Sequence, residues 1–154
     1  MLVVLTRLLS VLICLSVPVT SLGAQTTASI PGTIYFADGT SVRFLDAGTG
    51  GFTVQYQNSS RAVRYADLQN LRIDSYELKS IMEVGSLYRF VVAPDLELTT
   101  KTGAVLQVNA ARLQSFCPKI RDDISGQIKQ QCFGYARHDG QQTVLNIRSI
   151  QFGL

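Results

Sequence analysis

Apolar and polar positions alternate along much of the chain, and short groups of turn residues interrupt the alternation at close intervals. In "TIYFADGTSVRFLD" Ile34 and Phe36 flank Tyr35, Asp38-Gly39 supplies a turn, and Val42 and Phe44 resume around Arg43. A period of two with a turn tolerant of positive φ predicts a β-hairpin. In "FTVQYQNSSRAVRYADLQNLRI" Phe52, Val54 and Tyr56 face one way, Thr53, Gln55 and Gln57 the other. Asn58-Ser59-Ser60 turns the chain, and Val63 and Tyr65 return on the apolar side. Such strands put one face on a core and leave the other wet.

Three segments end alike. "FTVQYQNSSRAVRYADLQNLRI", "LELTTKTGAVLQVNAARLQSF" and "FGYARHDGQQTVLNIRSIQF" each run strand, polar turn, strand, and then close on two apolar residues three apart. The closing pairs are Leu68 with Leu71, Leu113 with Phe116, and Ile147 with Ile150. That spacing fits one tight helical turn plugging the end of each hairpin. A unit so small cannot bury its own apolar face, so the units must pack together.

The hydrophobic spacing, best over Thr33–Ile73, resembles the small SH3-like and Sm-like barrels, in which a bent meander ends in one 3₁₀ turn. The resemblance implies a fold class and carries over no function. The expected fold is mainly β: repeated antiparallel hairpins forming one small barrel-like domain or two fused SH3/Sm-like barrels. The first unit spans 33–73 and the second 86–154, after a polar lead over 25–32. Between the units, "DSYELKSIMEVG" over 74–85 offers a capping pair in Asp74 and Glu77 and a shared face of Leu78, Ile81 and Met82. These predict a short connecting helix or turn. "CPKIRDDISGQIKQQC" spaces Ile120, Ile124 and Ile128 four apart, but Gly126 weakens a helix there, so a short helix or an irregular loop is expected.

The N-terminus changes where this fold is expected to work. Residues 1–24 carry one early cation, Arg7, an apolar run from Leu8 to Val17, a break at Pro18 and small residues after it. This is the pattern of a cleaved secretory signal peptide, with no membrane span left in the mature chain. Cys14 lies within the apolar run behind Ile13, where a lipoprotein site needs a small residue, and leaves with the peptide. Cys117 and Cys132 remain; an even pair in an exported chain, without CxxC spacing, predicts a disulfide.

Charge and chemistry narrow the function mostly by exclusion. Charged residues are 16% of the chain, below the usual quarter, and the formal net charge is +3 before Arg7 is removed. So weak a balance argues against nucleic acid as a partner. His138 is the only histidine, and its neighbour Asp139 belongs with Gly140 to a turn. Adjacent strand residues point to opposite faces, which makes the pair a poor dyad. Asp122-Asp123 lacks the further oxygen ligands that calcium needs. No catalytic or phosphate-binding motif occurs, and no cofactor or metal is implied.

The expectation is a non-catalytic binding or structural module of the periplasm or cell exterior. It would act through a strand edge or barrel groove on an envelope or extracellular protein or polymer. Tyr35, Arg43, Arg61 and Arg64 are the candidate binding surface. The competing readings are an envelope hydrolase using His138 or the acidic loop, and a carrier of a small apolar ligand.

Overall fold

The computed structural model describes residues 28–153, so the leader and Cys14 lie outside the described residues. The described chain is mainly β, with no α-helix. Its strands are β1 (Gly32–Phe36), β2 (Ser41–Phe44), β3 (Gly51–Tyr56), β4 (Ser59–Arg64), β5 (Leu68–Glu83), β6 (Ser86–Thr100) and β7 (Val105–Leu113). They continue with β8 (Ser115–Phe116), β9 (Lys119–Arg121), β10 (Ile128–Gln130), β11 (Phe133–Gly134), β12 (Ala136–Asp139), β13 (Gln142–Leu145) and β14 (Ile147–Phe152). Eight of them form an antiparallel sheet in the order β2-β1-β14-β5-β6-β7-β3-β4. Three two-stranded ladders, β9–β10, β8–β11 and β12–β13, complete the fold.

The order places β14, from the second sequence unit, between β1 and β5 of the first, so both units contribute to one sheet. Among the described residues no ladder joins the end strands β2 and β4, and the sheet is open. Side chains bring its parts together instead. Phe44, Tyr65, Phe116 and Phe152 pack as one aromatic cluster, with Phe116 edge-on to Phe44 at 5.3 Å and to Tyr65 at 5.2 Å, and Tyr65 stacked on Phe152 at 5.5 Å. Edge-to-face and offset contacts suit the ring quadrupoles. Gly32 permits the close approach of β14: a Cβ there would lie 2.0 Å from the Gln151 carbonyl oxygen.

All six closing residues of the repeated segments are buried. The cause differs from the expected helical turn. Among the described residues one 3₁₀ turn exists, Tyr65–Asp67, and it precedes its anchor pair. Leu68 and Leu71 both lie in β5, where the register slips between Leu68 and Asn70 and leaves Gln69 as an extra residue. Ile147 and Ile150 lie in β14, where Ser149 faces Tyr35 but Ile147 faces Phe36, leaving Arg148 extra. An added residue flips the side-chain parity, so a bulge puts positions three apart on the same face of a strand. In the middle segment Leu113 ends β7, and Phe116 belongs to β8, which pairs with β11. The three-residue echo therefore marks bulges and a strand break.

The connecting helix expected over 74–85 is absent, because β5 runs unbroken as strand to Glu83 and returns as β6 through a two-residue turn. A helix of that length is marginal alone. The strand gains a full ladder with "SLYRFVV", which is rich in residues that favour strands. Past the bulges near Ser75, this hairpin extends as a largely exposed arm, which β7 accompanies only as far as Val91. Val84 and Gly85 turn its tip with φ of 48° and 78°. Gly85 adopts this freely, whereas a β-branched residue at positive φ is strained. Val84→Asn supplies the residue the turn prefers, and is expected to raise the unfolding free energy by about 1 kcal/mol in a urea titration. The disulfide segment likewise differs from the expected helix or loop: it folds into the β9–β10 ribbon, with Ile120 buried and Ile124 and Ile128 exposed.

Candidate functional site

The end strand β2 runs beside the β9–β10 ribbon and is hydrogen-bonded to it through one junction. Leu45 donates its N–H to the Lys119 carbonyl at 2.8 Å, and Lys119 donates to the Asp46 carbonyl at 2.8 Å. Beyond that junction a groove of about 620 Å³ opens between them, lined by Val42, Arg43, Leu45, Ile120, Ile124 and Phe133 among others.

Backbone directions on its two walls follow from the ladders. Phe36 donates to Thr40, so Thr40, Val42 and Phe44 turn toward β1. By alternation Ser41 and Arg43 turn their N–H and C=O outward, on the side where Leu45 reaches Lys119. On the opposite wall, Asp122 donates to Gln127, so Ile120 and Asp122 face β10. Arg121 therefore faces the groove on the same side as Lys119. The outward edge of β2 at Ser41 and Arg43 thus faces Arg121 of β9 across an apolar floor of Val42, Ile120 and Phe133.

The junction is braced. Asp46 accepts hydrogen bonds from the N–H of Gly48 at 3.0 Å and of Ile30 at 3.2 Å, and from Lys119 Nζ at 3.4 Å. Partial burial works to raise its pKa, yet these donors together hold the carboxyl below the usual range. The far end of the ribbon is tied by Asp122, which accepts from the N–H groups of Ile124 and Ser125 and pairs with Lys129. Lys129 first and then the two N–H groups lower its pKa. The Cys117–Cys132 disulfide closes the base of the ribbon.

No family model, curated protein or solved structure matches this chain. The site must be read from its own geometry.

Of the four residues of the expected surface, Arg43 lines the groove, and Tyr35 lies on the neighbouring strand, its hydroxyl 3.4 Å from Gln151 Oε1. Arg61 and Arg64 lie on β4, at the other end of the strand order. Arg61 sits over the Tyr56 ring at 5.4 Å, and Arg64 pairs with Asp67 at 3.0 Å. Among the described residues no acidic side chain pairs with Arg43. Sequence reading missed Val42, Ile120, Ile124 and Phe133 as one surface, because the pairing of distant segments creates it.

The other reactive groups lie apart. His138 is exposed on β12, with Nδ1 3.5 Å from Thr143 Oγ1. Asp122 is engaged within its own turn, and Asp123 is exposed. Tyr65 and Tyr135 line a second cavity of about 430 Å³, and burial raises the pKa of both phenols. Among the described residues no three metal-binding side chains converge, and no helix is long and apolar enough to cross a membrane.

Proposed function

We propose that the protein is an exported, non-catalytic binding module that takes up an extended peptide segment of an envelope or extracellular protein in the slot between β2 and β9. The observation that carries this is the unpaired outward edge of β2 beside an apolar floor shared with the disulfide ribbon. A strand added along the outward edge of β2 gains main-chain hydrogen bonds from Ser41 and Arg43, and its alternate side chains meet Val42, Ile120 and Phe133. Arg43 at the rim favours an acidic side chain on the incoming segment. The hydrophobic leader and the disulfide support a place outside the cytoplasm. In this reading the open sheet stands in for the expected small barrel, its segments held by aromatic packing in place of a closing ladder.

Arg43→Pro tests the mode of binding. Proline at this position removes an outward N–H and leaves the β1 ladder untouched, as edge strands tolerate. Extended peptides selected from a display library against the mature protein are expected to lose affinity about tenfold for this variant in calorimetry, with its melting temperature near that of the parent. Selected binders indifferent to Arg43→Pro, or a library that yields none, would refute the slot.

A further inference from the structure

We infer that the β5–β6 arm is a self-association element, through which two copies of this chain pair antiparallel along the free edge of β5. The inference is independent of the peptide slot and uses a different edge. β14 pairs with β5 only at Asn70, Leu71 and Arg72; the β12–β13 hairpin lies beside Tyr76, and among the described residues no strand pairs with that side of β5 beyond Arg72.

The outward groups can be assigned. Glu83 and Ser86 face each other across the two-residue turn, and such a flanking pair is hydrogen-bonded. Glu77, Lys79, Ile81 and Glu83 therefore bond inward to β6. Leu78, Ser80 and Met82 turn their N–H and C=O outward. A long edge of this kind templates strand addition unless something blunts it. This one carries no proline from Ser75 to Glu83, and it exposes Tyr76 and Met82.

Charge selects the partner and the register. A two-fold antiparallel pair must centre on a residue facing itself. Centred on Lys79, it opposes two lysines; centred on Ser80, it sets Glu77 against Glu83 twice. Centred on Ile81, it matches Lys79 with Glu83 but runs into the turn and leaves Glu77 opposite Gly85. Centred on Leu78, it sets Glu77 of each copy opposite Lys79 of the other. Those sites are non-hydrogen-bonded, where side chains lie closest. The regular part of this register runs over Glu77–Lys79, and the bulged residues near Ser75 fall opposite Ser80–Met82. Glu77 and Lys79 of one chain already lie 3.3 Å apart, so the dimer would gather four charges of alternating sign into one network.

Sedimentation across a concentration series is expected to show a monomer–dimer equilibrium for the mature protein. Lys79→Glu should weaken it about tenfold, since two attractive cross-strand pairs become repulsive. The double reversal Glu77→Lys/Lys79→Glu should restore it, which only a self-complementary register predicts. Ser80→Pro should abolish the dimer while leaving the inward ladder intact. Leu78→Cys should oxidise to a covalent dimer, because directly opposed hydrogen-bonded residues lie within disulfide reach. A monomer at all concentrations would overturn the inference, as would a dimer unaffected by both Lys79→Glu and Ser80→Pro. Restoration by Lys79→Glu/Glu83→Lys in place of the first pair would overturn the Leu78 register.

Discussion

Phe116→Ala is expected to lower the unfolding free energy by about 3–5 kcal/mol, as measured in urea at neutral pH. Phe116 is fully buried, and its ring lies edge-on to Phe44, Tyr65 and Phe152. Those three come from β2, the 3₁₀ turn and β14, so one ring from β8, outside the eight-stranded sheet, packs on two of its strands and on the turn that follows β4. Its removal forfeits the transfer energy and leaves a cavity that three flat rings cannot fill without losing their own geometry. Phe116→Leu keeps most of the volume and should cost less than half as much. A loss below about 1 kcal/mol for the alanine variant would mean that this cluster does not hold the sheet together.

Replacing Cys117 and Cys132 together with serine is expected to cost about 3 kcal/mol, the chain-entropy value for a loop of this length. The effect on binding should exceed the effect on the fold. The β9–β10 ribbon touches β2 through the Leu45, Asp46 and Lys119 junction, and the disulfide holds its other strand in place. Without the bond one wall of the slot is free to open, while the eight-stranded sheet keeps its ladders. Urea titration with and without reductant measures the first effect, and calorimetry with a selected peptide the second. Retention of full peptide affinity after reduction would show that the ribbon is not a wall of the site.

Much of this architecture was written in local pattern. The period-two runs at Ile34–Phe36, Phe52–Tyr56 and Leu96–Leu98 are strands, Lys101-Thr102-Gly103 turns a hairpin as its residue types require, and the turn expected at Asp139-Gly140 falls one residue later, on Gly140 and Gln141. The closing pairs are buried, but a three-residue spacing serves a helical turn and a bulged strand alike, and only the pairing partner decides between them. Residues 74–85 were ambiguous for the same reason. Leu78, Ile81 and Met82 share a helical face, whereas the ladder with β6 makes strand the better choice for the whole segment. The slot was less legible than the fold. Arg43 could be named from its place on a strand, but Val42, Ile120 and Phe133 meet only after the disulfide ribbon docks on the sheet edge.

The pairing of Gly32 with Phe152 sets an order of events in time. β1 lies between β2 and β14, so its inner edge waits for a strand from the far end of the described chain. During synthesis the first hairpin emerges early and keeps one side unpaired until β14 arrives. Contacts so distant in sequence slow folding and lengthen the life of exposed edges. A chain interrupted before Ile147 would therefore present β1 and β5 as adhesive strands to its neighbours. Holding such chains apart is a task for a chaperone in whichever compartment the protein folds.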